Sequence, residues 1–157
     1  MSRIKILLLS LSLGLIVLQS CTKDKMNEVG TVYTGAPVIE FAHLTGSLNR
    51  SVAFSSTTAT QGTDSVKIQL VGPQRATPTT VTFQVDPTST AVAGTDYINL
   101  TTTTNTVVIP ANQSFVWVVF RFNRPASGTK TLVLNLVGGD NVGVSQNYKT
   151  MTFTWKK

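Results

Sequence analysis

From residue 65 to 71 the chain reads Ser-Val-Lys-Ile-Gln-Leu-Val, with Val66, Ile68 and Leu70 at one parity and Lys67 and Gln69 at the other. A period of two sends successive side chains to opposite faces of an extended chain, so this stretch predicts a strand with one buried face. Residues 81–85 repeat the pattern, with Val81, Phe83 and Val85 inward and Thr82 and Gln84 outward. The same reading predicts strands over 38–41, 51–55, 106–109, 115–122, 131–137 and 148–155. Gly, Pro, Asn and Asp separate these runs, and no segment carries a helical period. About seven to eight short strands in one chain predict an all-β fold: a single antiparallel β-sandwich with Greek-key connections. The wealth of Thr and Val points the same way.

Residues 115–122 are apolar at both parities for most of their length, which predicts a central strand. Phe120 and Phe122 are expected in the core, with Trp117 beneath a loop or on a partly covered outer face. The strand at the end of the chain alternates Met151, Phe153 and Trp155 with Thr150, Thr152 and Thr154, so the domain closes only at its last strand. Tryptophan brings a large apolar area and is usually mostly buried. Trp117 and Trp155 therefore read either as core residues or as a candidate ligand-binding pair that stacks on sugar rings. The second reading requires both rings exposed on one surface.

The amino-terminal pattern is different. Arg3 and Lys5 precede an apolar run from Ile6 to Leu18, the build of a secretion signal. At about 13 residues the run falls short of the roughly 20 that a spanning helix needs. It ends in Leu18-Gln-Ser-Cys21, which contains the chain's only cysteine. These residues resemble the lipobox of bacterial lipoproteins. The resemblance implies cleavage before Cys21 and acylation of that residue, and several acyl chains together anchor a protein durably. The organisation expected is a signal peptide at 1–20, a lipidated flexible tether at 21–36 and a β-sandwich domain at 37–157. Thr22-Lys23 offers no aspartate directly after the cysteine, so the expected location is the outer membrane, lipid-anchored, with exposure at the cell surface as a further expectation.

Removing residues 1–20 leaves 137 residues (157 − 20), one domain's worth of chain. The 13 basic residues fall to 11 against 7 acids, a formal +4. That surplus is scattered without a block or a recognisable reading element, which excludes nucleic-acid binding.

One stretch carries a second resemblance. Val81-Thr-Phe-Gln-Val-Asp86, Ala91-Val-Ala-Gly-Thr-Asp-Tyr97, Thr106-Val-Val-Ile-Pro-Ala-Asn112, the strand from Phe115, and Leu132-Val-Leu-Asn-Leu136 together resemble the Calx-beta domain and its relatives in surface lipoproteins of the Bacteroidota. The resemblance covers residues 79–137 and implies an immunoglobulin-like, Calx-beta-like sandwich. Gly94, Asp96 and Tyr97 are read as a structural turn. Glycine allows a backbone angle that other residues resist, the carboxylate accepts backbone hydrogens, and the tyrosine ring enters the core. In calcium-binding relatives clustered acids hold the ions. Here Asp86, Asp96 and Asp140 are the only mid-domain acids, too few for the six to eight oxygens calcium takes, so no metal site and no cofactor are expected.

Catalytic chemistry finds no constellation. His43 is the only histidine, Cys21 is assigned to lipid, and no zinc set remains. Nothing singles out a pair among Glu40, Asp64, Asp86 and Asp96 for sugar cleavage. Gly138-Gly-Asp-Asn-Val-Gly143 precedes no helix, so it reads as a turn rather than a phosphate cradle. Thr101-Thr-Thr-Thr-Asn105 reads as a loop. Asp64-Ser65-Val66 resembles the glycan acceptor pattern of exported Bacteroidota proteins, which makes Ser65 a candidate glycosylation site. Two functions remain for a non-enzymatic chain. One is a binding module accessory to glycan or nutrient uptake, with a glycan ligand or a TonB-dependent importer complex as partner. The other is a structural or adhesive envelope subunit that meets protein partners through a strand edge or a flat sheet face.

Overall fold

In the computed structural model the described residues are 35–42 and 47–157. The expected signal segment 1–20, Cys21, the expected tether as far as residue 34, and His43 lie outside them. Ten strands occur among the described residues: β1 (Val38–Ala42), β2 (Asn49–Ser51), β3 (Gln61–Val71), β4 (Thr79–Val85), β5 (Tyr97–Asn99), β6 (Thr106–Ile109), β7 (Phe115–Asn123), β8 (Thr129–Gly138), β9 (Gly143–Val144) and β10 (Thr150–Lys156). They form two five-stranded sheets in the orders β5-β7-β3-β1-β9 and β2-β10-β8-β4-β6. Odd-numbered strands make the first sheet and even-numbered strands the second, so every connection crosses between sheets and no two consecutive strands pair. The crossing spans about 10 Å, which explains why no two-residue hairpin turn separates the runs of alternating residues.

The all-β sandwich read from the alternation is the fold. Its long ladders, β1 with β3, β3 with β7, β8 with β4 and β8 with β10, are antiparallel. Two short edge strands differ from that reading: β9 pairs with β1, and β2 with β10, in parallel. A strand that arrives by crossing from the opposite sheet has its direction set by the arch, not by a hairpin. The stretch expected at 51–55 is displaced to Asn49–Ser51, because the chain leaves the sheet after Val52 donates its N–H to the Thr154 carbonyl. β5 and β9, at three and two residues, are too short to display a period.

The core lies between the sheets. Ile39, Phe41, Val66, Ile68, Leu70, Val118, Phe120 and Phe122 come from the first sheet; Val81, Phe83, Leu132, Leu134, Met151, Phe153 and Trp155 come from the second, and all are buried. Burying a large apolar side chain contributes about 1.5–3 kcal/mol. Aromatic rings form the centre: Phe120 lies 5.7 Å from Phe153, Phe122 lies 5.2 Å from Phe153, and Phe122 lies 4.7 Å from Trp155, as ring centroids. Where β2 and β3 face each other, Arg50 grips Asp64 with two bonds of 3.1 and 2.7 Å from Nε and Nη2. Arg50 is registered opposite Phe153 and Asp64 opposite Phe120. Both therefore share the inward parity of their strands, and the pair ties the two sheets together at the margin of the core.

Candidate functional surface

The alternation in β7 sends Val118, Phe120 and Phe122 inward and leaves Phe115, Trp117, Val119 and Arg121 on the outer face of the first sheet. Phe115 and Trp117 are 43% and 40% exposed, with ring centroids 6.5 Å apart and planes at 79°. Their cross-strand neighbours on β3 are Gln69 and Lys67, and Ser65 stands opposite Val119. The Lys67 ammonium lies 5.2 Å from the Phe115 ring centroid, where a cation is attracted to the negative face of the ring. Gln69 Nε2 donates to Glu40 Oε1 on β1 at 2.7 Å. On the other flank Leu100, which follows β5 and is 51% exposed, donates its N–H to the Val119 carbonyl. Leu100, Trp117 and Phe115 thus form an apolar stripe across a sheet face, bounded by Lys67, Gln69 and Glu40.

The two tryptophans do not form a common surface, which corrects the paired-platform reading. Trp117 points outward from the first sheet. Trp155 points inward from the second, is 1% exposed, and donates Nε1–H to the Asn123 carbonyl at 2.9 Å. The threonine parity of β10 faces out and the Met151-Phe153-Trp155 parity faces in, so no rotamer brings the Trp155 ring to the face that carries Trp117. The aromatic neighbour of Trp117 is Phe115, two residues earlier on the same strand. Its outward parity was readable from the sequence, whereas the approach of Leu100 depends on β5, which was not.

Ser65 lies in β3, half-buried on the same outer face. Its N–H donates to Asp64 Oδ1 at 2.7 Å, and that carboxylate is already held by Arg50. Gly94, Asp96 and Tyr97 form a turn. Gly94 has φ +81° with open space where a Cβ would stand, so conformation and not crowding favours glycine there. Asp96 Oδ2 accepts from the Val92 N–H at 2.8 Å and from Lys130 Nζ at 3.0 Å. Tyr97 packs its ring 6.2 Å from Phe120, and burial raises its phenol above the ordinary value.

The three mid-domain acids are engaged separately. Asp86 accepts from the Thr88 hydroxyl and backbone N–H and from Asn135 Nδ2, and these bonds, the hydroxyl first, hold its carboxyl below the ordinary range. Burial would raise Asp96, but the Val92 N–H and the Lys130 ammonium outweigh it and leave the group lowered. Asp140 is lowered chiefly by the backbone N–H of Thr80. Among the described residues no group of three or more His, Cys, Asp and Glu side chains is placed to hold a metal ion. A calcium site built from these acids does not fit this geometry, since each carboxylate is occupied by its own donors.

No family model matches the chain, and no curated protein matches it significantly. Among solved structures, the fold is similar to the apo form of the Calx CBD1 domain, with a TM-score of 0.57 and 14% identity over 78% of this chain and 97% of that one. It is also similar to CBD12 from CALX1.2, with a TM-score of 0.54 and 14% identity over 75% of this chain and 43% of that one. A third similar structure, a structural-genomics protein of unknown function from Bacteroides ovatus, has a TM-score of 0.51 and 14% identity over 78% of this chain and 46% of that one. At these identities the likeness is one of fold: a Calx-beta-like sandwich.

Proposed function

We propose that this chain is a membrane-anchored, non-catalytic binding module that meets an envelope protein through the outer face of its first sheet. The observation that carries the reading is the exposed stripe of Leu100, Trp117 and Phe115 on that face. Exposed aromatic side chains bounded by polar groups are the usual anchors of protein contacts. Perpendicular rings present an edge and a face, a relief suited to interdigitating side chains, whereas a sugar ring stacks on a single flat plane. The reading therefore favours a protein partner, such as an importer complex of the outer membrane, over direct glycan capture. The lipobox-like Leu18-Gln-Ser-Cys21 supplies the anchor, by acylation of Cys21, and residues 21–36 give the domain its reach from the membrane. The likeness to Calx domains supports a role in binding without chemistry.

A glycan on Ser65 would stand over the stripe, one strand from Trp117, so modification and contact at this face exclude each other. The mass of the peptide containing Ser65, taken from the native protein, decides between them. The contact itself is tested by mild crosslinking of intact cells, membrane solubilisation and mass spectrometry of the proteins recovered with the lipidated chain. A stoichiometric envelope partner lost on Trp117→Ala is the expected result. A partner retained by Trp117→Ala and Phe115→Ala overturns the assignment of this face, and Cys21→Ser protein that stays in the membrane fraction overturns the anchor.

A further inference from the structure

A second surface lies at the end of β10. β2 runs beside β10 only from Thr152 to Thr154, and the last bond across is the one from Val52 N–H to the Thr154 carbonyl at 2.9 Å. β10 continues to Lys156. Its odd-numbered residues turn their backbone groups toward β8, as Lys157 N–H to the Gly128 carbonyl shows. The even-numbered ones turn toward β2, as the bonds of Thr152 and Thr154 show. Lys156 N–H and C=O consequently face the side that β2 has already left, where no described residue pairs with them. Such groups are a template for a further strand.

Beside this open edge is a groove of about 630 Å³ whose lining includes Phe54, Arg124, Lys156 and Lys157, with no acidic side chain. Arg124 is held in place from two sides. Its guanidinium carbon lies 4.4 Å from the Phe54 ring centroid, and Nη2 donates to the Ser56 carbonyl at 2.7 Å. Its Nε is buried without a hydrogen-bond partner among the described residues. A cation fixed in this way on the wall of a groove without acidic side chains favours a carboxylate, since guanidinium and carboxylate make strong charge-assisted bonds. Trp155 also borders the groove, but at 1% exposure it offers no ring face to a sugar.

We propose that this groove takes an extended acidic segment of a partner polypeptide, which adds as a short strand beside Lys156 and places a carboxylate against Arg124. A main chain supplies the donor and the acceptor that Lys156 requires in register, and acidic side chains meet the three cations of the lining. This site is on the margin of the second sheet and stands independently of the stripe around Trp117.

The test uses full-length protein in non-ionic detergent and fluorescence anisotropy of a labelled octapeptide of alternating valine and aspartate. Saturable binding is expected, weakened roughly tenfold or more by Arg124→Gln, as loss of a charge-assisted hydrogen bond requires. The same peptide N-methylated at every residue, which offers no N–H to a ladder on either edge, should not bind, and Trp117→Ala should leave affinity unchanged. Equal binding by a valine–lysine octapeptide, or by the N-methylated peptide, overturns the proposal. So does displacement of the peptide by oligogalacturonate or by phosphatidylglycerol carried in the same detergent micelles at equal charge concentration, which would make the groove a general anion surface. If Arg124→Gln lowers the melting temperature, Lys156→Pro serves instead, because it removes an N–H that the fold leaves unpaired; unchanged affinity in that variant also overturns the proposal.

Discussion

Replacing each tryptophan in turn separates the core from the surface, because the chain contains only two. Trp155 is 1% exposed, lies 4.7 Å from Phe122 and satisfies the Asn123 carbonyl. A buried tryptophan removes about 150–250 Å² from water, which at about 25 cal/mol per Å² is about 4–6 kcal/mol. Measured truncations of large aromatics cost about 3–5 kcal/mol, and the lost indole bond adds about 1 kcal/mol. Against a usual domain stability of about 5–15 kcal/mol, Trp155→Ala should lower the melting temperature by about 10–20 °C or prevent folding. Trp117→Ala removes an exposed ring and one edge-to-face contact with Phe115, a loss of about 0.5–1.5 kcal/mol. The milder variants give an optical check that does not depend on stability. Trp117→Phe leaves Trp155 as the only indole, with blue-shifted emission that acrylamide quenches poorly; Trp155→Phe leaves Trp117, red-shifted and readily quenched. Equal quenching of the two, or a larger stability loss from Trp117→Ala than from Trp155→Ala, would refute the assignment of the two faces.

Deleting residues 151–157 removes most of β10 from between β2 and β8 together with three buried side chains, and the truncated chain should lose its cooperative thermal transition; retention of a sharp melt would contradict this. Asp96→Asn should cost about 1–3 kcal/mol at pH 7 by weakening the bonds from Val92 and Lys130. Because the folded carboxyl lies below its unfolded value, its contribution is present in full above about pH 4 and is lost as pH falls through the folded value. The gap in urea midpoint between Asp96→Asn and the unaltered protein should therefore narrow at pH 3, and a constant gap would rule out the charged form as its source.

Much of the fold was legible because a two-residue period is a local property of the chain. Val66, Ile68 and Leu70, then Val81 and Phe83, then Met151, Phe153 and Trp155 occupy the core as their parity demands. The same parity placed Phe120 and Phe122 inside. What alternation does not carry is the identity of the face opposite. The parity of Trp117 opposes that of Phe120 and Phe122, and Trp155 shares that of Met151 and Phe153, but only the assembly of two sheets leaves the face that carries Trp117 open and seals the one that carries Trp155. β5 and β9 were invisible because two or three residues define no period; their pairing is imposed by the ladders they join. The groove at Lys156 is likewise a tertiary product, made where β2 turns away from β10 and brings Phe54 beneath Arg124. Sequence determined the strands and their inward faces, since side-chain direction along an extended chain is fixed covalently. Tertiary structure decided which faces are covered and which edges stay open, since these depend on contacts between residues far apart in the chain.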